Sequence, residues 1–164
     1  MPEWYQIKID WEGPLGIEKA IRFKNDGDSH PEYEGEDYGL YQIYGKHIVC
    51  GKDTLLYVGE ATDQTFSSRL SQHFKEWLKN EEKISIYLGR VYDPRKHQKK
   101  DNWHSWSADV KLAEKIMIYK YSPNYNNRNI NDPPSLWPHK KVLLLHRGKR
   151  NRLKPKDYAP DDFW

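Results

Sequence analysis

A single cysteine, Cys50, stands in a chain of 164 residues. One thiol excludes an intrachain disulfide framework and a cysteine-ligated zinc site. No apolar run approaches the ~20 residues that cross a bilayer, and the opening "MPEWYQIKID" lacks the apolar core of a signal peptide. These absences point to a soluble cytoplasmic protein with no membrane role. Charge of one sign is also scarce. Lys and Arg number 27 against 24 Asp and Glu, a formal +3, compatible with a polyanionic partner without establishing one. What the chain has in quantity is aromatic surface, with seven Trp and twelve Tyr. That is too much for a disordered segment, and such side chains suit sheet faces and binding surfaces. One domain spanning residues 1–164, with a single core, is the expectation.

"WYQIKIDW" alternates and predicts a strand, followed by a short helix around "LGIEKAIRF". "KNDGDSHPEYEGED" is a polar loop. "YGLYQIYG" and "TLLYVG" predict an antiparallel hairpin joined through "KHIVCGKD". "TFSSRLSQHFKEWLKN" predicts a helix with Phe66, Leu70, Phe74, Trp77 and Leu78 on its apolar stripe. A third strand, "KISIYLGRVY", precedes the basic loop "DPRKHQKKDN". A helix from about Ser107 to Tyr121 is stopped by the proline of "SPN". "NYNNRNIND" and "PPSLWP" read as irregular, "KVLLL" as a last strand, and "HRGKRNRLKPK" as a basic tail.

The helix ending at Tyr121 holds an anomaly. Glu114 shares its stripe with Val110, Met117, Ile118 and Tyr121. A buried unpaired charge costs several kcal/mol or is protonated, so a partner is required. A metal ion and an ion pair with a core Arg or Lys, Arg69 included, are the two candidates. Elsewhere the hairpin carries "GLY" at Gly39–Tyr41 and "YVG" at Tyr57–Gly59, the next helix carries Arg69 and His73 one turn apart, and Glu114 leads into Pro123 and Tyr125-Asn126.

In this order the motifs resemble the GIY-YIG nuclease family, over roughly Tyr38 to Asn126. Each triplet alone is a common packing pattern; the ordered set is specific. The resemblance implies an α+β fold: a small three-stranded mixed or antiparallel sheet flanked by helices. The family core would span 38–126, with an N-terminal decoration 1–37 and a C-terminal decoration 127–164 adding a strand and a basic tail. It also implies phosphodiester hydrolysis with one divalent ion per site, Mg²⁺ or alternatively Mn²⁺. Tyr41 and Tyr57 would share a site, Arg69 would bind the scissile phosphate, Glu114 would hold the metal, and Asn126 would support the site from behind. His73 falls where the family often has His or Tyr.

Phosphodiester cleavage needs an in-line nucleophile and charge stabilisation at the phosphate oxygens. Arg69 offers a planar, permanently protonated fork. Tyr41 is the expected general base, its pKa lowered by Arg69, with Tyr57 orienting phosphate or water and His73 relaying a proton. Where some members carry Lys after the second motif, this chain has Glu60, and Lys46 or Lys52 could substitute. The remaining histidines, among them His146, show no ligand spacing and are expected at the surface or in loops.

Arg95, Lys96, Lys99 and Lys100, and separately Arg147, Lys149, Arg150, Arg152, Lys154 and Lys156, form two basic clusters suited to backbone phosphates. Arg128 and the surrounding asparagines, and the polar loop Asn25–Asp37, are candidates for reading bases. A standalone chain of this type resembles the restriction-endonuclease branch, which cuts both strands of duplex DNA as a homodimer. Trp4, Trp11, Trp137 and Trp164 are candidates for that interface or for the core. The alternatives are a structure-specific, single-strand or low-specificity nuclease, and a nucleic-acid-binding module that does not cut.

Overall fold

The computed structural model describes residues 3–22, 38–92 and 103–160. The cluster of Arg95, Lys96, Lys99 and Lys100, the loop Asn25–Asp37 and Trp164 lie outside the described residues. In chain order the elements are β1 (Tyr5–Leu15), α1 (Ile17–Arg22), β2 (Gly39–His47), β3 (Gly51–Ala61), α2 (Phe66–Glu76), a 3₁₀ turn (Leu78–Asn80), β4 (Ser85–Tyr92), α3 (Trp103–Tyr121), β5 (Val142–Gly148) and β6 (Lys156–Ala159). No described helix is long and apolar enough to cross a membrane.

The expectation of a small three-stranded sheet flanked by helices is overturned. One mixed six-stranded sheet in the order β3-β2-β4-β1-β5-β6 curls into a half-barrel. The three strands of the expected core, β2, β3 and β4, make up half of it. The reason is edge satisfaction. β4 pairs on one side with β2, and its other rail of backbone groups is taken by β1, antiparallel, from Lys8↔Tyr92 to Leu15↔Ile86. β5 then adds parallel to β1 and β6 antiparallel to β5. The segments read as decoration therefore supply core: Ile7, Ile9, Trp11, Val142 and Leu144 are all buried.

Side-chain alternation divides the core into two layers. On one face α3 lays Val110, Ala113, Ile116 and Met117 against Ile7, Ile9, Leu40 and Val58. On the other, α1 and α2 cover Tyr41, Ile43, Ile86 and Leu88 with Ala20, Phe66 and Leu70. A register shift between Glu12 and Leu15 turns Leu15 from the first face to the second. Phe74, expected on the apolar stripe of α2, is 39% exposed instead, because the helix ends at Glu76 and Leu78 enters the core from the following turn. α3 begins a turn earlier than the sequence suggests, and Trp106 on that turn donates from Nε1 to the Val91 carbonyl at 3.0 Å.

The basic tail is also more ordered than expected. β6 is four residues long, too short to show alternation, yet Asp157 and Ala159 on it are buried. His146, expected at the surface, is buried among polar partners. Its Nδ1 accepts from Trp11 Nε1–H at 3.1 Å and its Nε2 meets Asp157 Oδ2 at 2.9 Å. Indole nitrogen can only donate, so the imidazole proton sits on Nε2 and is donated to Asp157. Tyr121 donates to the same carboxylate oxygen at 2.8 Å. Asp157→Ala would leave one buried and one half-buried donor unmet and lower the unfolding free energy by about 3 kcal/mol. Urea denaturation checks this, and a loss below about 1 kcal/mol would mean that the network is not a stabilising element.

Candidate active site

The β2–β3 hairpin sets the two motif tyrosines. In its register Tyr41 lies opposite Gly59 and Ile43 opposite Tyr57. Tyr41 and Tyr57 are thus diagonal neighbours on the α2 face, their rings stacked with centroids 6.1 Å apart and planes 21° apart. The motif glycines have steric reasons. A Cβ on Gly59 would overlap the Tyr41 ring and hydroxyl, and Gly39, at φ +149°, presses against the Gly89 carbonyl.

Helix α2 brings Arg69 and His73 over this pair. Its start is fixed by Thr65, whose hydroxyl caps Ser68 N–H at 3.2 Å. His73 is buried, with Nε2 2.7 Å from the Tyr41 hydroxyl and Nδ1 accepting from Trp77 Nε1–H at 3.2 Å. Trp77 thereby assigns the tautomer. Nε2 carries the hydrogen, and His73 donates to the Tyr41 oxygen. The expected proton relay through His73 is therefore presented in its donor form. Burial, reinforced by Arg69, lowers the His73 pKa from 6.5 to about 4, so the ring is neutral. The role of Trp77 escaped the sequence reading, which placed it on the apolar stripe; its spacing of four from His73 is the signal that could have revealed it.

The guanidinium of Arg69 lies close enough to both phenols to pull the pKa of each downward. It also donates to Gln72 Oε1 at 3.0 Å. Burial alone would lower its pKa, but the two tyrosine oxygens outweigh that and it stays protonated. The tyrosines go the other way from expectation. Burial pushes the Tyr41 pKa well above the ordinary phenol range, with Tyr57 adding to the rise and Arg69 only partly offsetting it. Burial raises Tyr57 as well, against Arg69. Tyr41 has no exposed surface while Tyr57 retains some. Lys46, a candidate for lowering a tyrosine pKa, sits instead by the hairpin turn, bonded to Glu82 at 3.5 Å. Neither Lys46 nor Lys52 is among the main influences on either tyrosine.

Glu114 and Asn126 arrive from the opposite layer at the outer edge of β3. Asn126 is buried and uses its whole amide on Val58, accepting its N–H at 2.9 Å and donating to its carbonyl at 2.9 Å. Tyr125 N–H adds a bond to the Leu56 carbonyl at 2.8 Å. One step further along the same rail, the Glu60 N–H lies against the Glu114 carboxylate. Burial, then the charge of Glu60, raises the Glu114 pKa from 4.5 to about 7, with Lys115 and Arg69 pulling it down. The charge of Glu114 in turn raises both tyrosines.

Arg69 is not an ion-pair mate for Glu114. The described ion pairs join Lys46–Glu82, Arg90–Glu12, Lys111–Asp63, His146–Asp157 and Arg152–Asp53, and none includes Glu114. A buried carboxylate next to a second carboxylate, lacking a cation at contact distance, fits a divalent ion. Tyr41, Tyr57, Arg69, His73 and Glu114 are thus electrostatically one cluster, and Asn126 is the clamp behind it.

The nucleic-acid candidates are more dispersed. Arg147 and Lys149 are exposed at the end of β5, and Arg128 is exposed two residues beyond the clamp. Arg150 is turned inward, donating from Nε to the Leu153 carbonyl at 3.0 Å. Arg152 reaches Asp53 at the start of β3, at 3.6 Å. Trp11 is core, Trp4 packs on Tyr158 with ring centroids 5.2 Å apart, and Trp137 is 84% exposed. No protein-family model, no curated protein and no solved structure matches the chain.

The two shifted groups give opposite pH dependences. Raised from 4.5 to about 7, Glu114 contributes stability that is full at the lower value and lost as pH climbs through the upper one. Lowered from 6.5 to about 4, His73 contributes stability that is present above 6.5 and lost as pH falls toward 4. In the wild type without metal the two slopes oppose each other. Glu114→Gln removes the falling one, so the variant gains on the wild type by on the order of 3 kcal/mol between the acidic and neutral ends of that range. Urea denaturation in EDTA across the range measures it, and a pH-independent difference would show that the fold does not hold Glu114 protonated.

Proposed function

We propose that the protein is a metal-dependent DNA endonuclease that hydrolyses phosphodiester bonds, acting as a homodimeric restriction-type enzyme in the cytoplasm. One observation carries the reading: the stacked Tyr41 and Tyr57 lie with His73 beside a single guanidinium, within the field of a buried carboxylate that has no ion-pair mate among the described residues. The exposed free thiol of Cys50 fits a reducing compartment.

In this reading Arg69 holds the scissile phosphate, its fork matching two oxygens and its charge stabilising the pentavalent state. Glu114 holds Mg²⁺ or Mn²⁺. When bound, the ion supplies positive charge to the phosphate oxygens and lowers the cost of ionising a neighbouring phenol or water. Tyr41 would serve as base only as the phenolate, the form that Arg69 and the bound ion would favour over the neutral phenol that burial imposes without them. Its phenolate oxygen is stabilised by the His73 Nε2–H and by Arg69. Tyr57, the more accessible hydroxyl, orients the water or a phosphate oxygen. His73 is a positioning residue whose donor form is kept by Trp77. Asn126 keeps β3 against the end of α3. Arg128, Arg147 and Lys149 track backbone phosphates, and Trp137 contributes to the surface between protomers.

The test is plasmid DNA incubated with purified protein and Mg²⁺. Discrete fragments are expected, with cleavage lost in EDTA. Arg69→Ala and Glu114→Ala should each lower the rate by at least about 100-fold with unchanged circular dichroism. Normal cutting by both variants would remove this site from the chemistry. A smear in place of fragments would point to a low-specificity nuclease, and tight binding without cleavage in Mg²⁺ or Mn²⁺ to a non-cutting module.

A further inference from the structure

Among the described residues, three buried side-chain atoms have no hydrogen-bond partner: Gln42 Nε2, Glu60 Oε2 and Thr62 Oγ1. The first is a donor and has no affinity for a cation. The other two are hard oxygen acceptors, and they occur two residues apart where edge strand β3 ends. Alternation continues the α3 face from Val58 to Glu60, and Thr62 lies one residue past the end of β3. Thr62 is only 1% exposed, so its hydroxyl is sealed in place without a mate. Leaving such groups unmet costs about 1–3 kcal/mol each, and native structures place them where a missing partner belongs.

Glu114 comes to Glu60 from α3. The Glu60 backbone N–H lies against its carboxylate, and the charge of Glu60 is felt there more strongly than that of any other residue. Two carboxylates converge across the edge of β3 with no described cation in contact with either. Among the described residues no group of three His, Cys, Asp or Glu forms. Two carboxylates with a hydroxyl and water suit Mg²⁺ or Mn²⁺, which take one or two carboxylates and keep much of their water.

We propose that Glu60 is the second carboxylate ligand of the divalent ion held by Glu114, with the Thr62 hydroxyl bonded to the ion's water shell. The inference rests on the preceding reading of Glu114 as a metal ligand, and extends it to residues outside the motif set.

The test is Mn²⁺ binding to the whole chain, followed by calorimetry and by the electron paramagnetic resonance signal of free Mn²⁺. Wild type, Glu60→Gln, Thr62→Val and Glu114→Gln are compared, each checked for fold by circular dichroism. Glu60→Gln should weaken binding by about 10-fold or more, at least as much as the loss of an outer-shell partner, and Thr62→Val by less. Should Glu60→Gln not fold, Glu60→Asp keeps the charge, shortens the reach and carries the same expectation. Wild-type affinity in the Glu60 variants with loss in Glu114→Gln would overturn the role of Glu60 and leave Glu114 as ligand. Equal Mn²⁺ binding in all four proteins would overturn both.

Discussion

Asn126 bonds to both backbone groups of Val58, and the arrangement of the candidate site depends on that contact. β3 is an edge strand, and its outer rail would otherwise face water or another chain. The amide of Asn126 supplies a donor and an acceptor in the spacing of a strand residue, so it terminates the sheet as a further strand would. It also ties the segment after α3 to the strand that carries Tyr57. With that tie, Glu114 is held at the next outward position of the same rail, beside Glu60. The acidic side of the site is thereby registered against the tyrosine side through a single strand.

The two sides come from different layers. Tyr41, Tyr57, Arg69 and His73 belong to the face covered by α2, and Glu114 belongs to the helix on the other face. They interact only because β3 is at an edge, where side chains of both layers can meet around the strand. In a central strand the same residues would be separated by the thickness of the sheet. Extending the sheet to six strands therefore matters to function through where it stops. Growth proceeds from β4 toward β6, and no strand is added beyond β3, so the two layers meet around its edge.

The electrostatics favour a site completed by a ligand. Without one, burial raises both tyrosines and Glu114 and lowers His73, so each group is driven toward neutrality. The Arg69 charge is shared between two phenols that do not ionise under those conditions. A cation entering the site would favour the ionised forms of Glu114 and the tyrosines and leave His73 neutral. The pairing of His73 with Trp77 survives such a change, since an indole can only donate, and it keeps the imidazole hydrogen aimed at Tyr41.

From the sequence alone, the hairpin, the two long helices, the strand of "KISIYLGRVY" and the anomaly of Glu114 were legible. Period-2 and period-3.6 patterns and a carboxylate on an apolar stripe are local signals. The spacing of Arg69 and His73 by one turn was equally local. Tertiary structure decided what depends on partners distant in the chain. "WYQIKIDW" and "KVLLL" became core because the first takes the free rail of β4 and the second then takes the free rail of β1, a matter of sheet edges that no window of residues records. Four residues at Lys156–Ala159 are too few for a pattern, and pairing with β5 makes them a strand. His146 is buried because Trp11 and Asp157 meet it across the sheet. The expected lowering of the Tyr41 pKa failed for the same reason: a sequence shows the charge of Arg69, while desolvation, the larger effect here, exists only once the layers close.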